Sequence, residues 1–332
     1  MTHDTVRGNP GRPVALLLPG QGSQHVRMAA GLAGAEPVFD RAMGEALAAL
    51  GESGAGLRSA WLHEDRPSVI DHVTHSQPLL FALDYALGKL VLSWGVRPVA
   101  LLGHSIGEVA AAVLAGVFTL ADAAAMVHDR VGRLAAAPPG GMVAVAASPQ
   151  EVAPFLGDGV VVGAVNAPRQ TVLAGPDGPL RAAADALRGA GFIARPVAAT
   201  TAFHSPVLAP ALRGAAEAIA ALPVAAPRIP VVSGYTGRRL SLQEAAEPDF
   251  WARQPMAPVM FWPALEFLLA EDLLLIEAGP GQGLAQLARR HPAVRSGRSA
   301  VLALLPPGPG PGDADRAAVR AAAAVLGRPV AV

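Results

Sequence analysis

The chain contains no cysteine, so disulfides, thiolate nucleophiles and cysteine-built zinc sites are excluded. Neither sign of charge is in surplus: 26 basic residues balance 26 acidic ones. Proteins that work on nucleic acid usually carry a basic excess, so no nucleic-acid partner is expected. No apolar run reaches the roughly 18 residues of a membrane helix. The longest candidates, such as 109–118, read as buried helix, and the polar stretch 1–12 lacks the apolar centre of a secretory signal. Together these absences predict a cytoplasmic protein without membrane contact. Lysine is almost missing, with Lys89 the single example among many arginines. With the abundant alanine, glycine and proline this reads as coding bias and carries no functional weight.

What is present is core material. Hydrophobic residues make up 52% of the 332 positions and charged residues 16%. That suits a large domain with a smaller one inserted. Residues 1–13 read as loosely attached. The apolar run 14–18 stops at Pro19-Gly20-Gln21-Gly22, and 99–102 stops at Gly103-His104-Ser105-Ile106-Gly107. A short continuous apolar run ended by Pro or Gly fits a strand of a parallel sheet, buried on both faces. Helical spacing of apolar residues marks 36–52, 76–94, 108–115 and 120–136 as helices. Strand, loop and helix therefore alternate, as in α/β folds.

After Pro138-Pro139-Gly140-Gly141 the pattern changes. Short strands at 142–147, 159–165, 171–174 and 192–197 are interleaved with helices at 149–156 and 178–190. This βαββαβ order suggests a ferredoxin-like unit. Helices are expected again at 208–222, 281–290 and 313–326, with strands at 229–233 and 273–277 and a linker at 306–312. The expected fold is a large hydrolase-like parallel-sheet α/β domain, 14–137 and 206–332, with an inserted small ferredoxin-like α+β subdomain, 138–205.

Gly103-His104-Ser105-Ile106-Gly107 fits a nucleophile elbow, with serine on a tight turn between a strand and a helix. The glycines permit the strained turn, and the amide of Ile106 at a helix N-terminus suits a developing oxyanion. The bland alternative is an ordinary Gly/Ser loop. A serine hydroxyl needs a base. Of the nine histidines, His204 in Thr201-Ala202-Phe203-His204-Ser205-Pro206 sits in a loop, where functional residues concentrate. On spacing alone it is one candidate among several.

Four motifs occur in order: Pro19-Gly20-Gln21-Gly22-Ser23-Gln24, Gly103-His104-Ser105-Ile106-Gly107-Glu108, Ala202-Phe203-His204-Ser205-Pro206 and Glu277-Ala278-Gly279-Pro280-Gly281. Together they resemble the malonyl-CoA:acyl-carrier-protein transacylases and the acyltransferase domains of polyketide synthases. The resemblance runs from about Val14 to Leu304. It implies a seryl ester mechanism with Ser105 as nucleophile, His204 as base and then acid, and the amides of Gln21 and Ile106 as oxyanion hole. It implies that a backbone carbonyl of the strand ending Ser233-Gly234-Tyr235-Thr236-Gly237 orients the histidine, although many relatives carry Asn where this chain has Gly234. Arg130 would grip the free carboxylate of malonyl by two parallel hydrogen bonds, a geometry that lysine cannot match. Nearby Arg133 reads as a surface arginine. Gln77 matches a pocket glutamine, and Asn166 a structural loop of the small domain.

Phe203 beside the histidine resembles the malonyl-selective pattern, as does Ile106, whereas Thr201 stands where malonyl-type relatives often carry His. The implied partners are a coenzyme A thioester and the phosphopantetheine thiol of an acyl carrier protein. No bound cofactor and no metal are implied. Arg289, Arg290, Arg295 and Arg298 form a cluster that could receive an acidic carrier, or a merely solvated helix end. Three other readings remain: an acyl-carrier-protein hydrolase, a carrier-to-carrier transacylase for a bulkier chain, and a catalytically silent docking module.

Overall fold

The computed structural model describes residues 11–328, so the loosely attached segment expected at 1–13 lies largely outside the described residues. Among the described residues nine strands, β1 Val14–Leu18, β2 Ala100–Gly103, β3 Gly140–Val145, β4 Val161–Ala167, β5 Gln170–Pro176, β6 Ala194–Pro196, β7 Val231–Val232, β8 Leu274–Glu277 and β9 Ala300–Ala303, form two sheets. The larger has the order β7-β2-β1-β8-β9, with every pairing parallel. Successive side chains of a strand point to opposite faces. Leu16 and Leu18 of β1 accordingly enter one apolar cluster, and Ala15 and Leu17 another. The first cluster gathers the helices Pro37–Ala49, Val73–Ser93, Ile106–Ala115 and Leu120–Ala135. The second gathers Phe261–Leu268 and Gly283–Ala288. Burial on both faces is why these strands read as unbroken apolar runs.

The smaller sheet has the order β4-β5-β3-β6 and is antiparallel throughout. One face is covered by the helix Asp177–Gly189, whose Leu180, Ala183, Ala184 and Leu187 pack on Val143, Val145 and Leu173. This is the βαββαβ arrangement expected from the pattern. Its far strand is tied to the rest of the molecule: Val165 donates to the carbonyl of Val259 at 2.8 Å, and Val259 to that of Gly163 at 2.9 Å. No helix among the described residues is long and apolar enough to cross a membrane.

Several expected elements are shorter. The helix read at 208–222 covers only Ala215–Ala220, because Pro206 opens a short 3-10 turn and Gly214, at φ 82°, starts the helix afresh. The stretch 149–156 splits into a helical turn Pro149–Val152 and a 3-10 turn Ala153–Phe155 with Pro154 inside it. The strand read at 229–233 pairs only at Val231 and Val232, after Pro230. Strand β9 and the glycine-containing helix Ser53–His63 had no expectation attached.

Candidate active site

Ser105 sits between β2 and the helix Ile106–Ala115, at φ 55° and ψ −120°. Only glycine enters that region without strain, so the surroundings must hold the serine there. They do so by close backbone approach. A Cβ on Gly103 would collide with the amide of Glu108, and one on Gly107 with the carbonyl of Leu18. A Cβ on Gly20 would strike the carbonyl of His104, so the loop after β1 is pressed onto the serine turn. This contact brings Gln21 beside the turn. The amides of Gln21 and Ile106 make no hydrogen bond among the described residues.

Ser105 Oγ lies 2.9 Å from His204 Nε2, and both residues are buried. His204 has φ 63°, and its amide donates to the carbonyl of Pro255 at 2.6 Å. Its Nδ1 faces two carbonyl oxygens, that of Ala257 at 2.9 Å and that of Gln254 at 3.1 Å. Nδ1 must therefore carry the proton, an assignment made from its acceptors. Nε2 is left as an acceptor for the serine hydroxyl. Burial and then the proximity of His104 push the imidazole down to about 4, against the hydrogen bonds to Ala257 and Gln254.

The carbonyl support differs from the expectation. It comes from Gln254 and Ala257, while the turn Ser233–Gly237 does another job. Glu108 accepts from Ser233 Oγ at 2.8 Å and from the amide of Gly234 at 2.6 Å. That holds Tyr235 with its ring centroid 6.0 Å from that of His204. Glycine at 234 is explained by space, since a Cβ there would stand 2.7 Å from the carbonyl oxygen of Gly103. Burial raises the Glu108 carboxyl to about 8, although the bonds from Ser233 and Gly234 and the charge of Arg130 pull it down.

Arg130 is buried on the helix Leu120–Ala135. Its Nη2 donates to the carbonyl of Trp251 at 3.0 Å and to Gln254 Oε1 at 3.3 Å. It makes no ion pair among the described residues, and burial lowers its pKa. Arg133, by contrast, pairs with Asp129 at 2.7 Å in a partly exposed pair. Arg130 and His204 thus meet on Gln254, which sequence reading passed over. A main-chain acceptor leaves no residue-type signature, and Gln254 opens a three-residue 3-10 turn, Gln254–Met256, too short for periodicity to mark.

Gln77 is buried and donates to Gln21 Oε1 at 3.5 Å, while its own Oε1 has no partner. Asn166 Oδ1 lies 3.0 Å from His104 Nε2, tying the small sheet to the residue before Ser105. Phe203 is buried in the apolar cluster that also holds Met142, Ala164 and Val172 of the small sheet. Thr201 is buried. A cleft of about 500 Å³ starts at Gln21 and His104, passes Asn166 and Met142 of the small sheet, and reaches Arg290 and Pro307. Ser105 and His204 are not among its lining residues, although His104, next to Ser105 in the chain, is. Of the four expected carrier arginines only Arg290 borders this cleft, with Nη1 2.7 Å from Gln170 Oε1. Arg298 is spent on Asp272 at 2.7 Å, and Arg289 and Arg295 are exposed away from the lining.

The sequence matches the family described as "Acyl transferase domain" over residues 16–300. A phenolphthiocerol/phthiocerol polyketide synthase of Mycobacterium tuberculosis is 41% identical over 281 residues, 84% of this chain and 19% of that protein. Polyketide synthase GfsB of Streptomyces halstedii is 38% identical over 82% of this chain and 5% of its own length. This chain therefore spans a fifth or less of these relatives. The acyltransferase domain from the second module of the salinomycin polyketide synthase superposes with a TM-score of 0.87 at 34% identity, covering 96% of this chain and 75% of that one. The malonyl CoA-acyl carrier protein transacylase of Coxiella burnetii shares the fold, with a TM-score of 0.82 at 24% identity over 95% of this chain and 98% of that one.

Proposed function

Because the chain belongs to the acyl transferase domain family, we propose that it moves a malonyl unit from coenzyme A to the phosphopantetheine thiol of an acyl carrier protein, through an ester on Ser105. The observation that carries this reading is a buried guanidinium without a carboxylate partner, joined through Gln254 to a serine–histidine pair. A buried cation left unpaired is costly, and a substrate carboxylate removes that cost. An acetyl group would not.

In the first half-reaction Ser105 Oγ attacks the thioester carbonyl while its proton passes to His204 Nε2. The oxyanion is received by the amides of Gln21 and Ile106. One such donor is worth roughly 10²–10³ in rate. As the tetrahedral species collapses, the C–S bond breaks and His204 returns the proton to the departing thiolate. The second half-reaction runs the same way in reverse. The carrier's thiol loses its proton to His204, attacks the ester, and Ser105 is released with the proton restored. The carbonyls of Gln254 and Ala257 hold the imidazole in the required tautomer, in the place an aspartate occupies in other triads. The cleft from Arg290 to Gln21 admits the pantetheine arm.

Phe203 beside the histidine narrows the acyl site against a branch methyl. One methyl is worth about 1–3 kcal/mol, so malonyl is preferred over methylmalonyl by roughly 10–200-fold. The test is intact mass after brief incubation with malonyl-CoA, followed by addition of carrier protein. A malonyl adduct is expected in the wild type, absent from Ser105→Ala and discharged onto the carrier. An adduct discharged to water at the same rate with and without carrier would instead identify a hydrolase.

A further inference from the structure

Glu108 belongs to the motif that carries Ser105, yet acyl transfer as described gives it no task. We infer that Glu108 is a positioning residue that joins the carboxylate clamp and the general base into one unit through Gln254. The inference deepens the proposed function, since the clamp's ligand is taken to be the substrate carboxylate.

Glu108 is fully buried in the first turn of the helix that Ser105 caps, so its position relative to the nucleophile is fixed by that helix. Its Oε1 accepts from Ser233 Oγ at 2.8 Å and from Gln254 Nε2 at 3.4 Å, and its Oε2 from the Gly234 amide at 2.6 Å. Gln254 is fully buried as well. Its other amide atom, Oε1, accepts from Arg130 at 3.3 Å, and its main-chain carbonyl accepts from His204 Nδ1 at 3.1 Å. A second arm runs through the turn that Glu108 holds at Ser233 and Gly234, where Tyr235 packs on the His204 ring. One carboxyl thus sets where the arginine and the histidine stand relative to Ser105.

Burying a carboxyl costs several kcal/mol unless hydrogen bonds offset it. An apolar side chain would fill the same volume without that cost, and it would leave Gln254 Nε2, Ser233 Oγ and the Gly234 amide without this acceptor. Both partners of Gln254 bear on chemistry, so the cost has a function in positioning. The tie depends on reach and on two acceptor oxygens. Glu108→Gln keeps the arm to Gln254, with its one oxygen on Ser233 and Gln254, but sets its NH2 against the Gly234 amide, itself a donor. Glu108→Asp, one methylene shorter, loses both arms.

The experiment uses three readouts on the full chain. The first two are acyl-enzyme formation from malonyl-CoA and from acetyl-CoA, by intact mass. The third is labelling of Ser105 by phenylmethylsulfonyl fluoride, which reports the serine–histidine pair without any acyl carboxylate. Glu108→Asp is expected to slow sulfonylation about tenfold and to lower the malonyl-over-acetyl ratio about tenfold, with Glu108→Gln recovering most of the ratio but not of the sulfonylation rate. Gln254→Met keeps the carbonyl for His204 and deletes the amide. It is expected to lower malonyl acylation about tenfold more than it lowers sulfonylation. The inference is overturned if Glu108→Asp leaves sulfonylation at the wild-type rate, or if Glu108→Gln loses as much of the malonyl-over-acetyl ratio as Glu108→Asp. It is also overturned if Gln254→Met affects malonyl acylation and sulfonylation equally. If malonyl-CoA does not acylate the wild type, the proposed function fails separately, and sulfonylation still decides the tie to His204. If Glu108→Asp does not fold, Gln254→Met decides the tie to Arg130.

Discussion

His204 is oriented to act as a base by where its two nitrogens point. Nδ1 meets only carbonyl oxygens, and Nε2 meets Ser105 Oγ at 2.9 Å. Burial and His104 depress its pKa to about 4, so the ring stays neutral far below the usual histidine range. Only the neutral ring can take the serine proton. Acylation rate is therefore expected to stay flat from alkaline pH down to mildly acidic pH and to fall only as pH approaches about 4. A pH profile of acyl-enzyme formation that breaks near 6.5, the ordinary histidine value, would show that the ring is not desolvated in this way. The serine and the histidine were legible from their motifs. The carbonyl support was assigned to the wrong turn, because any residue supplies a carbonyl and only the folded loop 254–257 shows which ones face Nδ1.

The strand-to-helix turn holds Ser105 in place, and its glycines are sterically fixed. The β2 strand delivers Ser105, and the helix Ile106–Ala115 starts on the next residue. Gly107 lies against the carbonyl of Leu18 in the neighbouring strand β1. Gly107→Ala would force apart a backbone–backbone contact that no side-chain rotation relieves. It is expected to cost about 1–3 kcal/mol of stability and to displace the serine. A thermal midpoint and an acylation rate both equal to wild type would contradict this packing account. At this scale the sequence was most readable where burial is two-sided: β1, β2 and β8 stand within a residue of their apolar runs. It was least readable where proline and glycine cut an apolar pattern, as at 208–222. There Gly214, at φ 82°, and not helical spacing, decides where the helix resumes.

The whole molecule joins an antiparallel sheet to a parallel one, and the cleft lined by residues of both parts reaches His104, the residue before Ser105. Asn166, bonded to His104, couples the two at the inner end, and Arg290, bonded to Gln170, couples them at the outer end. The two-part organisation was legible from the change of pattern after Pro138. Which arginine faces the cleft was not, because charge spacing along a chain does not say which charges are already paired. Arg298 is held by Asp272, whereas Arg290 borders the cleft. Arg290→Glu is accordingly expected to raise the carrier's KM several-fold at low salt, with the effect shrinking as salt rises. Arg298→Glu is expected to change it little, as a partly exposed surface pair contributes about 0–1 kcal/mol. Equal effects of both reversals on carrier kinetics would deny Arg290 its place at the entrance.

The central claim is that the buried, carboxylate-free Arg130 reads the acyl group. It is tested most directly by the ratio of acylation kcat/KM for malonyl-CoA to that for acetyl-CoA, in the wild type and in Arg130→Ala. Truncating one partner of a buried charged hydrogen-bonded pair costs about 2–5 kcal/mol, so the ratio should fall by at least roughly 30-fold. Acetyl transfer should be unchanged or improved. A ratio that stays the same, with both donors losing activity together, would mean that Arg130 supports the fold around Gln254 and does not bind the substrate.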